Sequence, residues 1–325
     1  MLKINSFVIK KNKEVTVFTP GPASLAVENI LGLGPCFGRE DVKYLNIENF
    51  VKKKLKEMSG HSKIAILHGA ASLAIEVMCR SFLFGKILII KTGYYSDRIH
   101  KICLNSKNLE KNIKKIQVIS WEKIDLVTEN FDWVIACSVE TSIGLKIPIE
   151  KLNNLSRRTK ARLMLDATAS FPLEKNHNLA DVIAYSSCKG LCGFTGASFI
   201  AYNKNPFFYV KSFYLDFKNF LENKMTRPYH SIQSLFYILK NYDNFKYSIE
   251  VNKEKFLKDM RDVIFFKKEN QPLICTRTKK NIYKKNKNVI LYRSRQKIIG
   301  SIICHLGEIH LGKLSQGKII NNLYY

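Results

Sequence analysis

The sequence predicts an α/β protein in which a mostly parallel sheet forms a large domain and a smaller α+β domain follows it. Two observations carry this expectation. From Ile47 to Tyr202, short apolar β-rich runs alternate with segments of helical apolar spacing, the pattern of βαβ units. Beyond about Phe207 the alternation stops, and long aromatic and lysine-rich helical patterns lead into short strands. The expected division is residues 1–235 and 236–325.

In order along the chain, residues 1–18 read as a β-prone lead-in packing on the small domain. Phe18-Thr19-Pro20-Gly21-Pro22 is a rigid turn, because each proline fixes φ. Gly32–Asp41 is a glycine-rich loop carrying Arg39 beside Glu40 and Asp41. Ile47–Met58 has helical spacing and Ile64–Leu67 is a short strand. His68-Gly69-Ala70-Ala71-Ser72 then opens an apolar helix reaching about Phe84. Exposed N–H groups and the positive dipole end make such a join a seat for phosphate, and Ser72 adds a hydroxyl. Small residues also open many helices for packing reasons alone.

Lys86–Ile90 is the next strand, and Thr92-Gly93-Tyr94-Tyr95-Ser96-Asp97-Arg98 leads into another helix. Trp133–Cys137 is a strand ending at Ser138–Gly144, and Pro148–Lys160 is helical. Ala161–Leu165 and Asp181–Tyr185 are short apolar runs suited to buried strands, and Phe199–Tyr202 follows the Gly193–Gly196 turn. Thr226-Arg227-Pro228 breaks the later helical region. Gln271–Ser301 reads as short strands around a very basic turn, Lys279–Lys287.

Composition narrows the function classes. At 325 residues, one large domain or two with a sizeable core is expected. No apolar run reaches the ~18 residues of a membrane span. The segment MLKINSFVIKKNKEV has neither an apolar signal core nor a small-residue cleavage site, so a cytoplasmic location is expected. Eight cysteines without a CxxC pair, several inside apolar runs (Cys79, Cys137, Cys304), read as reduced and partly buried thiols. The formal charge of +26 admits an anionic partner. However, Lys, Asn and Ile recur together along the whole chain (KKNK, KNLEKNIKK, KKNIYKKNKN) with no nucleic-acid motif, so solvated surface lysine is the preferred account. No nucleic acid, membrane or metal partner is expected.

The chemistry centres on Asp166 and Lys189. Asp166 ends one apolar run, and Lys189 follows the next in the small-residue turn Ser186-Ser187-Cys188-Lys189-Gly190. In an open parallel sheet, chemistry collects just beyond the carboxyl ends of the strands. Opposite charges there suit a pyridoxal phosphate site, with the carboxylate on the pyridine nitrogen and the lysine forming a Schiff base. Taken alone, a surface Asp and a surface Lys is the simpler reading.

The pieces FTPGPAS, CFGRED, HGAASLAIE, GYYSDRI, ETSIG, LDATASF, SSCKG with GFTG, MTRPYHS and SIICHLGEI follow one another from Phe18 to about Gly307. In that order the chain resembles the class V, fold-type I aminotransferases, and among them the 2-aminoethylphosphonate–pyruvate transaminase group. The resemblance implies pyridoxal 5'-phosphate as cofactor, with Lys189 as the Schiff-base lysine and proton shuttle and Asp166 as partner of the pyridine nitrogen. It implies Tyr95 stacked on the cofactor ring and Thr141, or less well Ser142, near the ring oxygen. It places Ala70, Ala71, Ser72 and Ser186 around the phosphate, and has Thr226 reach the phosphate of the other subunit in a homodimer with shared active sites.

On the substrate side, the resemblance places Arg39 near the substrate mouth, where a guanidinium suits a phosphonate; an ion pair with Glu40 or Asp41 is the other reading. Where the family has a substrate-clamping arginine, this chain has His305, and the small domain is shortened. The implied reaction moves the amino group of 2-aminoethylphosphonate to pyruvate, giving phosphonoacetaldehyde and alanine. An alanine/serine–glyoxylate type or other small-amine aminotransferase is the alternative, and a catalytically degenerate dimer of the same fold is the alternative of a different class.

Overall fold

The computed structural model describes residues 2–21, 25–31, 33–35, 38, 40–206, 208–222, 225–312 and 318–325. Arg39 therefore lies outside the described residues. The chain opens with α1 (Leu2–Lys13), β1 (Thr16–Phe18), α2 (Val27–Leu31) and α3 (Val42–Ser59). The alternating region follows: β2 (Lys63–His68), α4 (Ala71–Phe82), β3 (Gly85–Lys91), α5 (Tyr94–Glu110), β4 (Ile113–Ser120) and β5 (Trp133–Cys137). A two-strand ribbon, β6 (Val139–Glu140) and β7 (Leu145–Lys146), leads to α6 (Ile149–Arg158), β8 (Arg162–Asp166), β9 (Val182–Ser186) and β10 (Ala197–Tyr202).

Seven of these strands form one sheet in the order β2-β10-β9-β8-β5-β3-β4. All neighbours run parallel except β10, which is antiparallel to both β2 and β9. Because side chains alternate along a strand, the sheet fills two separate cores. On one face Ile66, Leu88, Val134, Leu163 and Ile183 pack under α3, α6 and a later helix, α8 (Tyr229–Lys240), through Leu55, Leu152 and Leu235. On the other, Leu67, Ile89, Ile135, Met164 and Ala184 pack under α4 and α5 through Ile75, Met78 and Ile99. Burying each of these larger aliphatic side chains stabilises the fold by roughly 1.5–3 kcal/mol. This three-layer arrangement holds the carboxyl ends of β5, β8 and β9 in register, with Cys137 opposite Asp166 and Asp166 opposite Ala184.

The rest of the chain forms a third, smaller core. Phe18, Val289, Ile303 and Leu323 gather around Phe256 of α9 (Tyr242–Asp259). Short strands β11 (Cys275–Arg277) and β14 (Ile302–Cys304) pair antiparallel, while β1 pairs parallel with β13 (Val289–Leu291) across most of the sequence. The residue-235 boundary expected from the sequence falls inside α8.

Three local differences from the sequence reading have physical reasons. Residues 2–13 are a helix rather than a β-prone lead-in. A strand needs a neighbour for its backbone groups, and the helix satisfies them internally while Asn12 anchors its end to the Leu25 and Leu311 carbonyls. β4 was not legible, because lysines interrupt its apolar positions at the sheet edge, where charge protects an open ladder. β10 reverses direction, which composition does not encode.

Candidate active site

At the carboxyl end of the sheet, a cavity of about 540 Å³ opens between the strand ends and the N-termini of α4 and α5. Asp166 and Lys189 both line it. Asp166 is only 2% exposed, so both of its oxygens need partners. Oδ1 accepts from the Thr168 backbone N–H at 3.0 Å and from its hydroxyl at 2.5 Å, and Oδ2 accepts from Arg98 Nη2 at 3.3 Å.

Lys189 donates from Nζ to the Gly21 carbonyl at 3.1 Å. Gly21 has a positive φ of 97°, and a Cβ there would sit 2.8 Å from the Cys188 carbonyl oxygen. Only glycine lets the backbone at position 21 come this close to the turn that carries the lysine. Burial lowers the pKa of Lys189 below the ordinary lysine value of 10.5, and the guanidinium of Arg295 acts in the same direction. The nearby thiols of Cys137 and Cys304 are pushed up by burial and remain protonated.

The aromatic wall is Tyr95, in the first turn of α5. Its neighbour Tyr94 is 41% exposed and does not line the cavity. Turn geometry thus decides between two adjacent tyrosines. Glu140 fixes this turn. Its buried carboxylate accepts from the N–H groups of Tyr95 (3.0 Å) and Ser96 (3.3 Å), the Thr92 hydroxyl (3.2 Å), and the N–H and hydroxyl of Ser142. Burial raises the Glu140 pKa, and the hydrogen bonds from Ser142, Ser96 and Tyr95 oppose that rise. Ser142 is spent on Glu140 and lies off the cavity, whereas Thr141 lines it.

The start of α4 also faces the cavity. Its N-cap is Ala70, which has no side chain to satisfy the first-turn N–H groups. Ala70, Ala71 and Ser72 all line the cavity, as does Ser186 at the end of β9. The result is an uncapped, positively polarised helix end beside two hydroxyls.

Thr226, expected at the phosphate of the other subunit, and His305, expected at the substrate, both lie off this chain's own cavity. Thr226 is exposed and outside the cavity lining, in a small recess with His68 and Met225. His305 is not at the substrate mouth. It follows β14, is 3% exposed, and sits inside the small core against Phe256 with Nε2 2.9 Å from Thr276 Oγ1. Burial holds its pKa well below the usual imidazole value, so the ring carries no charge with which to hold an anion. Arg98, Thr168 and Arg295 are among the lining residues not singled out from the sequence. Thr168, two residues after Asp166, is a side-chain turn partner that its spacing signals; nothing in the basic stretch around Arg295 distinguishes it from its neighbours.

Among the described residues there is no cluster of His, Cys, Asp and Glu able to hold a metal ion, and no helix is long and apolar enough to cross a membrane. No protein-family model matches the chain. Among curated proteins, it is 25% identical over 222 residues to a bifunctional phosphonoacetaldehyde hydrolase/aminoethylphosphonate transaminase of Clostridioides difficile, covering 63% of this chain and 35% of that protein. It is 24% identical over 199 residues to a 2-aminoethylphosphonate–pyruvate transaminase of Pseudomonas aeruginosa, covering 57% of this chain and 53% of that one. An uncharacterised aminotransferase of Helicobacter pylori is 24% identical, with 64% of this chain and 60% of the relative covered. The chain thus spans less than two thirds of the length of these relatives.

Among solved structures, pyridoxamine–pyruvate aminotransferase from Mesorhizobium loti superposes with a TM-score of 0.74 at 18% identity, covering 95% of both chains. Alanine–glyoxylate aminotransferase from Nostoc sp. gives a TM-score of 0.74 at 15% identity, covering 94% of this chain and 95% of that one. The protein has the fold of the fold-type I, pyridoxal-phosphate-dependent aminotransferases.

Proposed function

We propose that the protein is a pyridoxal-phosphate-dependent aminotransferase that moves the amino group of 2-aminoethylphosphonate, or a related small phosphonate amine, to pyruvate, giving phosphonoacetaldehyde and alanine. The observation that carries this reading is the convergence of Lys189, Asp166, Tyr95 and the uncapped start of α4 on one cavity. The residues fit the cofactor. The N–H groups of Ala71 and Ser72 with the hydroxyls of Ser72 and Ser186 suit its phosphate, Tyr95 its ring face, Thr141 its ring oxygen and Asp166 its ring nitrogen. When bound, the cofactor supplies an electron sink for negative charge at the carbon bearing the amine.

The remaining work falls to this chain's side chains. Lys189 Nζ, with its proton affinity reduced by burial, takes and returns the proton at the amine-bearing carbon. Asp166, held at both oxygens, keeps its carboxylate aimed at the ring nitrogen. The apolar walls of Val139 and Ala169 exclude water from one side of the cavity. Thr226, exposed and off its own cavity, is free to serve the phosphate of a second subunit, which makes the working form a homodimer. The division at residue 235 and a cytoplasmic location belong to the same reading.

The test is an absorption titration of the cofactor-loaded protein. Aminoethylphosphonate is expected to bleach the visible band and pyruvate to restore it. A band that only another amine bleaches overturns the substrate. No band after cofactor addition overturns the enzyme.

A further inference from the structure

The site as built leaves open which group holds the acidic end of the substrate, since His305 is buried elsewhere. We infer that Arg295 is that anchor, and that it selects amines carrying a phosphonate or carboxylate; this inference rests on the aminotransferase reading. Two arginines line the cavity, Arg98 and Arg295. Arg98 is already committed to Asp166. Arg295 has no carboxylate partner among the described residues, and its charge is felt at Lys189. It is therefore the cavity's uncommitted guanidinium, with a fork of donors that matches a carboxylate or phosphonate in two parallel hydrogen bonds.

Its backbone is placed rather than loose. Ser294, on one side, donates its hydroxyl to the Ser142 carbonyl at 2.5 Å. Gln296, on the other, accepts the Tyr94 N–H through Oε1 at 2.9 Å. Both bonds tie the segment to the turn that carries Tyr95 and Thr141. Arg295 itself is exposed, at the rim, with its guanidinium 6.0 Å from the Tyr94 ring centroid.

The test compares wild type, Arg295→Met and Arg295→Lys, each loaded with cofactor and checked for an unchanged visible band. Calorimetry with ethylphosphonate, which has the acidic group but no amine, reads the anchor without turnover. Arg295→Met is expected to weaken its Kd by about 10–100-fold, the scale of losing hydrogen bonds to a charged group, and Arg295→Lys to recover part of that. KM for aminoethylphosphonate is expected to rise similarly, and by several-fold more than KM for ethanolamine, whose tail is uncharged. Equal loss for both amines, or unchanged ethylphosphonate binding, overturns the anchor while leaving aminotransfer standing. A wild type that transfers no amino group from any donor overturns the aminotransferase reading and this inference with it.

Discussion

Arg98 Nη2 and Asp166 Oδ2 lie 3.3 Å apart on the cavity wall, an ion pair in which the acid is almost fully buried and the base is about a third exposed. The pair is asymmetric in consequence. Asp166 has Thr168 on its other oxygen, whereas Arg98 Nε is buried without a hydrogen-bond partner. Asp166 is thus oriented from two sides, and removal of Arg98 leaves its carboxylate with one anchor.

Arg98→Met is expected to lower kcat by about 10–100-fold, the scale of one charge-assisted hydrogen bond, with the fold intact. Asp166→Asn keeps the shape but removes the negative charge proposed to face the ring nitrogen, and is expected to cost about 10²–10³-fold or more. Steady-state kinetics on both variants checks the order. A larger loss in Arg98→Met than in Asp166→Asn overturns the view that Arg98 acts through Asp166.

Lys189→Ala is expected to bind the cofactor without forming a covalent link, so the purified variant loses colour on dialysis where wild type keeps it. Turnover falls by at least about 10²–10⁴-fold, the range for a positioned proton-transfer group. Added methylamine, as a diffusible base, is expected to restore a measurable fraction. Retention of colour through dialysis in the variant excludes Lys189 as the attachment point.

How much of this was legible depends on what fixes each residue. Asp166 and Lys189 were readable because fully buried parallel strands appear as unbroken apolar runs, and their ends mark where polar groups become possible. The helix at Ala71 was readable because the turn before it changes composition abruptly. His305 was not, since its burial comes from β11 pairing with β14 and from Phe256 in α9, contacts between segments distant in sequence. Arg295 was hidden for the opposite reason. It is one cation among Arg293, Arg295 and Lys297, and only the bonds from Ser294 and Gln296 decide which of them meets the cavity.

Glu140 is the residue on which the aromatic wall depends, although it does not itself line the cavity. Glu140→Gln turns one acceptor oxygen into a donor facing N–H groups, which costs roughly 1–3 kcal/mol for the group left unsatisfied. Denaturant unfolding is expected to show this loss. Cofactor affinity is expected to fall as well, because Tyr95 and the start of α5 lose their shared acceptor. A variant with wild-type affinity but lowered stability would show that Glu140 holds the fold and not the ring.

Lys253 gives a pH signature outside the site. It is 8% exposed in α9 and donates to the Pro272 carbonyl, and burial brings its pKa down from 10.5 to about 8. The unfolded chain then binds this proton more tightly than the folded one between pH 8 and 10.5, so stability rises with pH across that window. At neutral pH the buried charge costs roughly 3 kcal/mol, one pKa unit being worth about 1.4. Urea unfolding of wild type minus Lys253→Met isolates the effect from the other lysines. The difference is expected to be greatest near pH 7 in favour of the methionine variant and to shrink steadily towards pH 10. A difference that does not change with pH means that Lys253 is already neutral at pH 7, or keeps an ordinary lysine pKa in the fold.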